Sequence, residues 1–106
     1  MTHDEKAQHT PGPWTIDGNA HRDLDIVAPT GRVAMLDCEF SVETEEVLTA
    51  NACLIAAAPE LLAAAQCALA DFEGILSEFD PEREHPAWET LAELRTVIVK
   101  ATGGAA

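Results

Sequence analysis

The chain has 106 residues, of which 47% are hydrophobic, and it carries nineteen acidic against six basic residues for a formal net charge of −13. This length allows one domain with a modest core, built without a disulfide or metal. So acidic a surface repels phosphates and anionic headgroups, which disfavours direct binding to nucleic acid or membranes and favours basic partners.

The N-terminal part predicts a small sheet. Residues 1–10 are polar and predict a loose N-terminus. Pro11-Gly12-Pro13 enforces an extended entry, and both Asp17-Gly18-Asn19 and Pro29-Thr30-Gly31 are turn signals. The sequence therefore predicts a three-stranded antiparallel meander, which needs a helix on one face to be stable. The predicted strands are 14–16, 25–28 and 32–36.

The rest of the chain predicts helices. Apolar residues recur in steps of three and four after Thr44, a suitable N-cap. Pro59 interrupts this pattern, which predicts one helix ending near Ala57 and a second over Pro59–Glu78, a single kinked helix being the alternative. After the charged connector 80–85, a last helix is predicted over 86–101, ended by the glycine pair 103–104.

These elements predict an α+β fold: a three-stranded antiparallel meander followed by two or three helices packed on one face. A single domain is expected over 11–102, with a short tail at 103–106. The aromatic residues should contribute a large share of the buried area, with Trp14 holding the first strand against the helices. They are Trp14, Phe40, Phe72, Phe79 and Trp88.

Three cysteines, Cys38, Cys53 and Cys67, lack any CxxC spacing. Cys53 and Cys67 fall on helical sequence, about 20 Å apart at about 1.5 Å per residue, too far for a disulfide. Free thiols that serve packing are therefore expected, in a reducing cytoplasm. The polar N-terminus predicts no signal peptide, and no apolar run reaches membrane-spanning length.

No pattern predicts catalysis, a metal or a cofactor. Cys38 with His21 is a conceivable nucleophile and base, but no motif supports the pair. His21, Asp23 and Asp25 alternate and could offer metal ligands, yet a solvated hairpin edge explains them more simply. There is also no phosphate-binding glycine loop. The sequence therefore predicts a protein that is not an enzyme.

Two motifs resemble a known group. HTPGPW at 9–14 and ANACLIAAAPELL at 50–62 are similar to the HTPGPW and ANAxLIAAAPELL motifs of small phage- and prophage-encoded proteins of unassigned function. Cys53 stands where that group commonly has arginine. The resemblance implies a phage-encoded protein without naming its activity, and it suggests an anti-CRISPR or other anti-defence role by analogy.

The stretch 71–93 has the character of an interaction surface, because a rigid array of carboxylates can imitate the field of a phosphate backbone and dock on a basic channel. Arg83 is its only lysine or arginine. The predicted partner-binding residues are Asp71, Glu73, Glu78, Asp80, Glu82, Glu84, Glu89 and Glu93.

Two functions follow from these patterns. The first is a non-enzymatic inhibitor or modulator of a host nucleic-acid-binding defence complex, with a CRISPR effector as the most concrete target, acting by protein–protein occlusion in the host cytoplasm. The alternative is a structural or assembly protein that forms a homodimer through the Ala-rich helix 59–78, with acidity serving solubility alone.

Overall fold

The computed structural model describes residues 8–78 and 86–104. The predicted α+β order is confirmed: a three-stranded antiparallel sheet is followed by three helices. Residues 1–7 of the predicted loose N-terminus 1–10, Phe79 and the whole charged connector 80–85 lie outside the described residues. The elements are β1 (Thr15–Asn19), β2 (Asp23–Ala28), β3 (Gly31–Asp37), α1 (Glu45–Ala56), α2 (Ala58–Leu76) and α3 (Pro86–Ala101).

The strands form a meander in the order β1-β2-β3, but β1 is longer than predicted. Gly18 pairs with Leu24 inside the ladder, and the turn follows at 20–22. Gly18 has a φ of 97°, and a Cβ there would overlap the carbonyl oxygen of Asp23. The predicted turn signal is therefore a strand position that needs glycine for close approach of the backbone.

The core lies between the sheet and α1. Leu24 and Ile26 alternate along β2, so both point to the face on which α1 lies. Leu48 and Ala52, one turn apart on α1, meet them there, and Cys38 completes the cluster. Trp14 is half-buried against this cluster. The apolar alternation of β2 and the helical spacing of α1 thus produce one shared core.

The chain breaks between α1 and α2 at Ala57, as predicted. Thr44 caps α1, with its Oγ1 accepting from the Val47 amide at 3.3 Å. The Ala57 amide donates to the Cys53 carbonyl at 3.0 Å, while its own carbonyl accepts from the Leu61 amide at 2.9 Å. Pro59 lies in the first turn of α2, where its missing N–H leaves no intrahelical bond unmade.

The chain forms two compact units. The sheet unit is His9–Leu61, with the meander and α1. The helical unit includes the chain from Leu62 onward, with most of α2 and the whole of α3. Among the described residues, its buried side chains are Leu76 and Leu91. Within the described ranges no single helix is long and apolar enough to cross a membrane, although α1 and α2 as a bent pair meet the requirement of length and composition.

Candidate functional site

Two of the three residues considered for a metal, His21 and Asp25, lie beside side chains of opposite charge type. His21 lies in the β1–β2 turn, and its Nδ1 is 2.9 Å from Glu45 Oε2 at the start of α1. Asp25 Oδ1 is 3.5 Å from Arg32 Nη1 and has no hydrogen bond. In the described part of the chain, no group of three His, Cys, Asp or Glu side chains could hold a metal ion.

All three cysteines are free, as predicted, but their environments differ. Cys38 is buried, and its thiol donates to the Leu36 carbonyl at 3.4 Å. Cys53 and Cys67 are exposed, so the expectation that all three serve packing is wrong for these two. The helical stretches that carry them are so rich in alanine that apolar neighbours in the sequence do not indicate burial.

Acidic residues cover the sheet face opposite α1. The register places Asp17 directly across from Asp25, and Asp23 across from Asp37. Like charges in such pairs repel one another and weaken the sheet. Arg32 relieves this repulsion at Asp25. The sequence shows these aspartates, but which of them pair depends on the register of the sheet. The predicted turn at Asp17-Gly18-Asn19 does not lead to this register, because these three residues belong to β1.

The predicted acidic surface is described in part. Asp71, Glu73, Glu78, Glu89 and Glu93 are all exposed. Glu73 is engaged by Arg95, with 2.7 Å between Oε2 and Nη2. Asp71 and Glu78 border a shallow groove on α2, whereas Glu93 lines a second, mainly apolar groove between α2 and α3. Asp80, Glu82 and Glu84 lie outside the described residues.

A second acidic stretch surrounds the loop between β3 and α1. Phe40 is 83% exposed and Val42 is fully exposed, which makes the expected burial of Phe40 wrong. The stretch 37–46 contains no lysine or arginine. The sequence does not indicate this surface, because a phenylalanine usually predicts a core position. The signal that could have revealed it is that Phe40 lies outside every periodic segment. The exposed carboxylates of this stretch are Asp37, Glu39, Glu43, Glu45 and Glu46.

Hydrogen bonds fix this loop at both ends. The Cys38 and Glu39 amides both donate to the Arg22 carbonyl at 3.0 Å, tying the loop to the β1–β2 turn. The Glu39 amide also donates to Asp37 Oδ1 at 3.2 Å, and the Glu43 amide donates to Ser41 Oγ at 3.1 Å. With Cys38 buried and Thr44 capping α1, the loop presents Phe40 and Val42 from a defined backbone.

The two sequence motifs meet within the sheet unit. Trp14 donates its indole N–H to the Thr10 carbonyl at 3.0 Å, and the His9 ring stands edge-on to Trp14 with centroids 6.2 Å apart. A Cβ on Gly12 would lie 3.5 Å from Pro59 Cβ and 3.3 Å from Glu60 Oε2. HTPGPW thus packs where α2 begins, which gives both motifs a structural role.

The comparisons with known proteins give one family. No curated protein and no solved structure matches the chain. The family model described as Salmonella phage P22 protein Y8K6 matches residues 1–105. The chain therefore belongs to the family of Salmonella phage P22 protein Y8K6, a family of phage proteins.

Proposed function

We propose that this phage-family protein is a non-enzymatic inhibitor or modulator of a basic host protein that handles nucleic acid, acting by occlusion in the host cytoplasm. A CRISPR effector or another defence complex is the most concrete target. The expected partner is a protein or nucleoprotein complex rather than free nucleic acid or a membrane. No cofactor is required for this role.

The observation that carries the proposal is the excess of unpaired carboxylates. In the described ranges, Asp25, Glu45 and Glu73 lie within ion-pair distance of a basic side chain, and the other described acids do not. Unpaired exposed charges keep their field in solution, so the protein attracts a basic surface over about 8 Å at physiological salt. A channel that holds phosphates offers such a surface.

Assembly of the protein with itself is the second candidate. Among the described residues of α2, Ala63, Ala64, Cys67 and Ile75 are exposed, and small residues let helices approach closely. The net charge of −13 opposes this role, because two such copies repel each other at low salt. Sedimentation over a range of concentrations and salt tests it: a dimer that strengthens with salt supports assembly, and a strict monomer excludes it.

The test of occlusion uses a tagged bait in a nuclease-treated lysate of the phage's host bacterium. A retained basic protein is identified by mass spectrometry, purified, and titrated with the bait. We expect the affinity to fall at least about 10-fold between about 50 and about 300 mM salt, and the bait to displace nucleic acid from the purified protein. Binding that does not respond to salt, or that leaves nucleic acid in place, contradicts the proposal.

Charge reversal locates the contact. Reversing Glu78, Asp80, Glu82 and Glu84 to lysine tests the predicted acidic surface, and reversing Asp17 and Asp23 on the sheet is the control of equal charge type. We expect the first set to abolish binding without lowering the unfolding midpoint, because replacing acids by lysine in a chain with a net charge of −13 reduces its self-repulsion. The control reverses half as many charges. If it costs half as much binding free energy as the first set, or more, only the net charge matters and the assignment of this surface is wrong.

A further inference from the structure

The β3–α1 loop, residues 38–44, carries two apolar side chains that bury little of their surface when the protein folds. Phe40 is 83% exposed and Val42 is fully exposed. Single exposed apolar residues are common, but this pair belongs to one short loop and includes an aromatic ring. A serine at either position would leave the core cluster of Leu24, Ile26 and Leu48 untouched.

The loop is organised in advance for contact. Its first residues are held by the Arg22 carbonyl, and its last residue caps α1. A binding partner therefore does not have to order the backbone, which removes part of the entropic cost of association. Aromatic side chains, phenylalanine among them, are enriched at protein–protein interfaces relative to the rest of a protein surface.

The charge around the loop specifies the partner. The exposed residues Asp37, Glu39, Glu43 and Glu46 flank the apolar pair along the chain, with no lysine or arginine between 37 and 46. None of these four has an ion-pair partner among the described residues. A second copy would bring the same carboxylates against them. A neutral apolar surface would remove them from water without compensation.

We infer that the β3–α1 loop is a docking knob for a basic protein, with Phe40 and Val42 entering an apolar pocket whose rim carries lysine or arginine. This inference rests on the proposed function, since the partner is the same basic, nucleic-acid-binding protein. The inference assigns different kinetic roles to the carboxylates and to the apolar pair. The carboxylates speed encounter, and the apolar pair slows dissociation, because rim charges act mainly on association and buried anchors on residence.

The test compares F40S/V42S with the unchanged protein in titrations of the purified basic partner recovered from lysate. The matched control is Leu54→Ser, which removes a 64% exposed leucine from the same unit. Leu54 lies about 14 Å along α1 from the end of the loop, at about 1.5 Å per residue. We expect the double variant to bind about 10- to 30-fold more weakly, through faster dissociation, and the control to bind unchanged.

Charge variants test the rim. Neutralising E39Q/E43Q/E46Q should lower the association rate and flatten its salt dependence, with dissociation little changed. An unchanged urea midpoint for every variant shows that the fold is intact. If F40S/V42S binds as tightly as the unchanged protein, the inference is wrong while occlusion stands. If the unchanged protein retains no basic nucleic-acid-binding protein, both fail.

Discussion

The two compact units of this chain bury their side chains to different extents. The sheet unit has a cluster of five buried residues, including Ile26 with no exposed surface. The helical unit has Leu76 and Leu91 as its buried residues in the described ranges, and Phe72 and Leu94 are half-buried. A branched strand residue facing a helix removes a large apolar area from water, whereas an alanine removes little.

The difference shows what alanine contributes. The stretch Leu62–Leu69 of α2 contains four alanines, and alanine has the highest helix propensity of any residue. Such a helix forms readily but gains little from packing, which supplies most helical stability in proteins. The sheet unit should therefore set the global stability of the fold, and the helical unit should open first. Three substitutions, two of them paired with a matched control, test this comparison.

The largest expected effect is Ile26→Ala in the sheet unit. We expect a loss of about 3 to 4 kcal/mol in the free energy of unfolding, from lost burial and the cavity left behind. Ile16→Ala is the matched control, because Ile16 pairs directly with Ile26 in the ladder yet is 38% exposed. It should cost about 1 kcal/mol. Urea unfolding followed by Trp14 fluorescence, in a Trp88→Phe background, measures both.

Equal losses for the two isoleucines would contradict this account. They would mean that the sheet draws stability from strand propensity rather than from burial against α1. The fluorescence of Trp14 suits the measurement, because this side chain packs against the core cluster of the same unit.

In the helical unit, Leu91→Ala should cost about 2 kcal/mol. Leu91 is 3% exposed, but half-buried neighbours can close over a cavity more easily than a tight core can. Circular dichroism at the helical minimum and hydrogen exchange of α3 amides measure the effect. We expect exchange in α3 to accelerate while β2 amides keep their protection. Loss of protection in β2 to the same degree would show that the units unfold together.

Several parts of the fold were predictable because they depend on local sequence. The turn signal Pro29-Thr30-Gly31 identifies the hairpin of β2 and β3, although the predicted strand 25–28 begins two residues after the start of β2, and Pro59 identifies the break between α1 and α2. Thr44 was correctly predicted as the N-cap. Each of these follows from backbone geometry within a few residues, so the rest of the chain does not alter it.

Other parts depend on contacts that the sequence does not specify. Gly18 looks like a turn residue, and only the approach of the Asp23 carbonyl shows why a strand needs glycine there. The engagement of Glu73 depends on Arg95, twenty-two residues away on another helix. The exposure of Phe40 depends on loop hydrogen bonds to Arg22. The predicted acidic surface shows the same dependence, because the partners of its carboxylates lie on different elements.

The smallest expected effect is a gain of stability from Gly74→Ala. Gly74 lies inside α2, and nothing lies within 4 Å of a Cβ built there. Alanine would restrict the unfolded chain and favour the helix, which should add about 0.5 to 1 kcal/mol. The helical transition in urea, followed by circular dichroism, should move to higher denaturant.

Gly103→Ala is the control for this gain. Gly103 belongs to the same unit and has equally open surroundings, but its φ is 77°. The Gly104 amide bonds the Val99 carbonyl at 2.7 Å in the turn that ends α3. Alanine at 103 would have to adopt a left-handed conformation at a cost of about 1 kcal/mol. Gly74→Ala should therefore raise the free energy of unfolding and Gly103→Ala should lower it, although the space around both glycines is equally open. A change in the same direction for both would show that the backbone conformation of the glycine does not determine the effect.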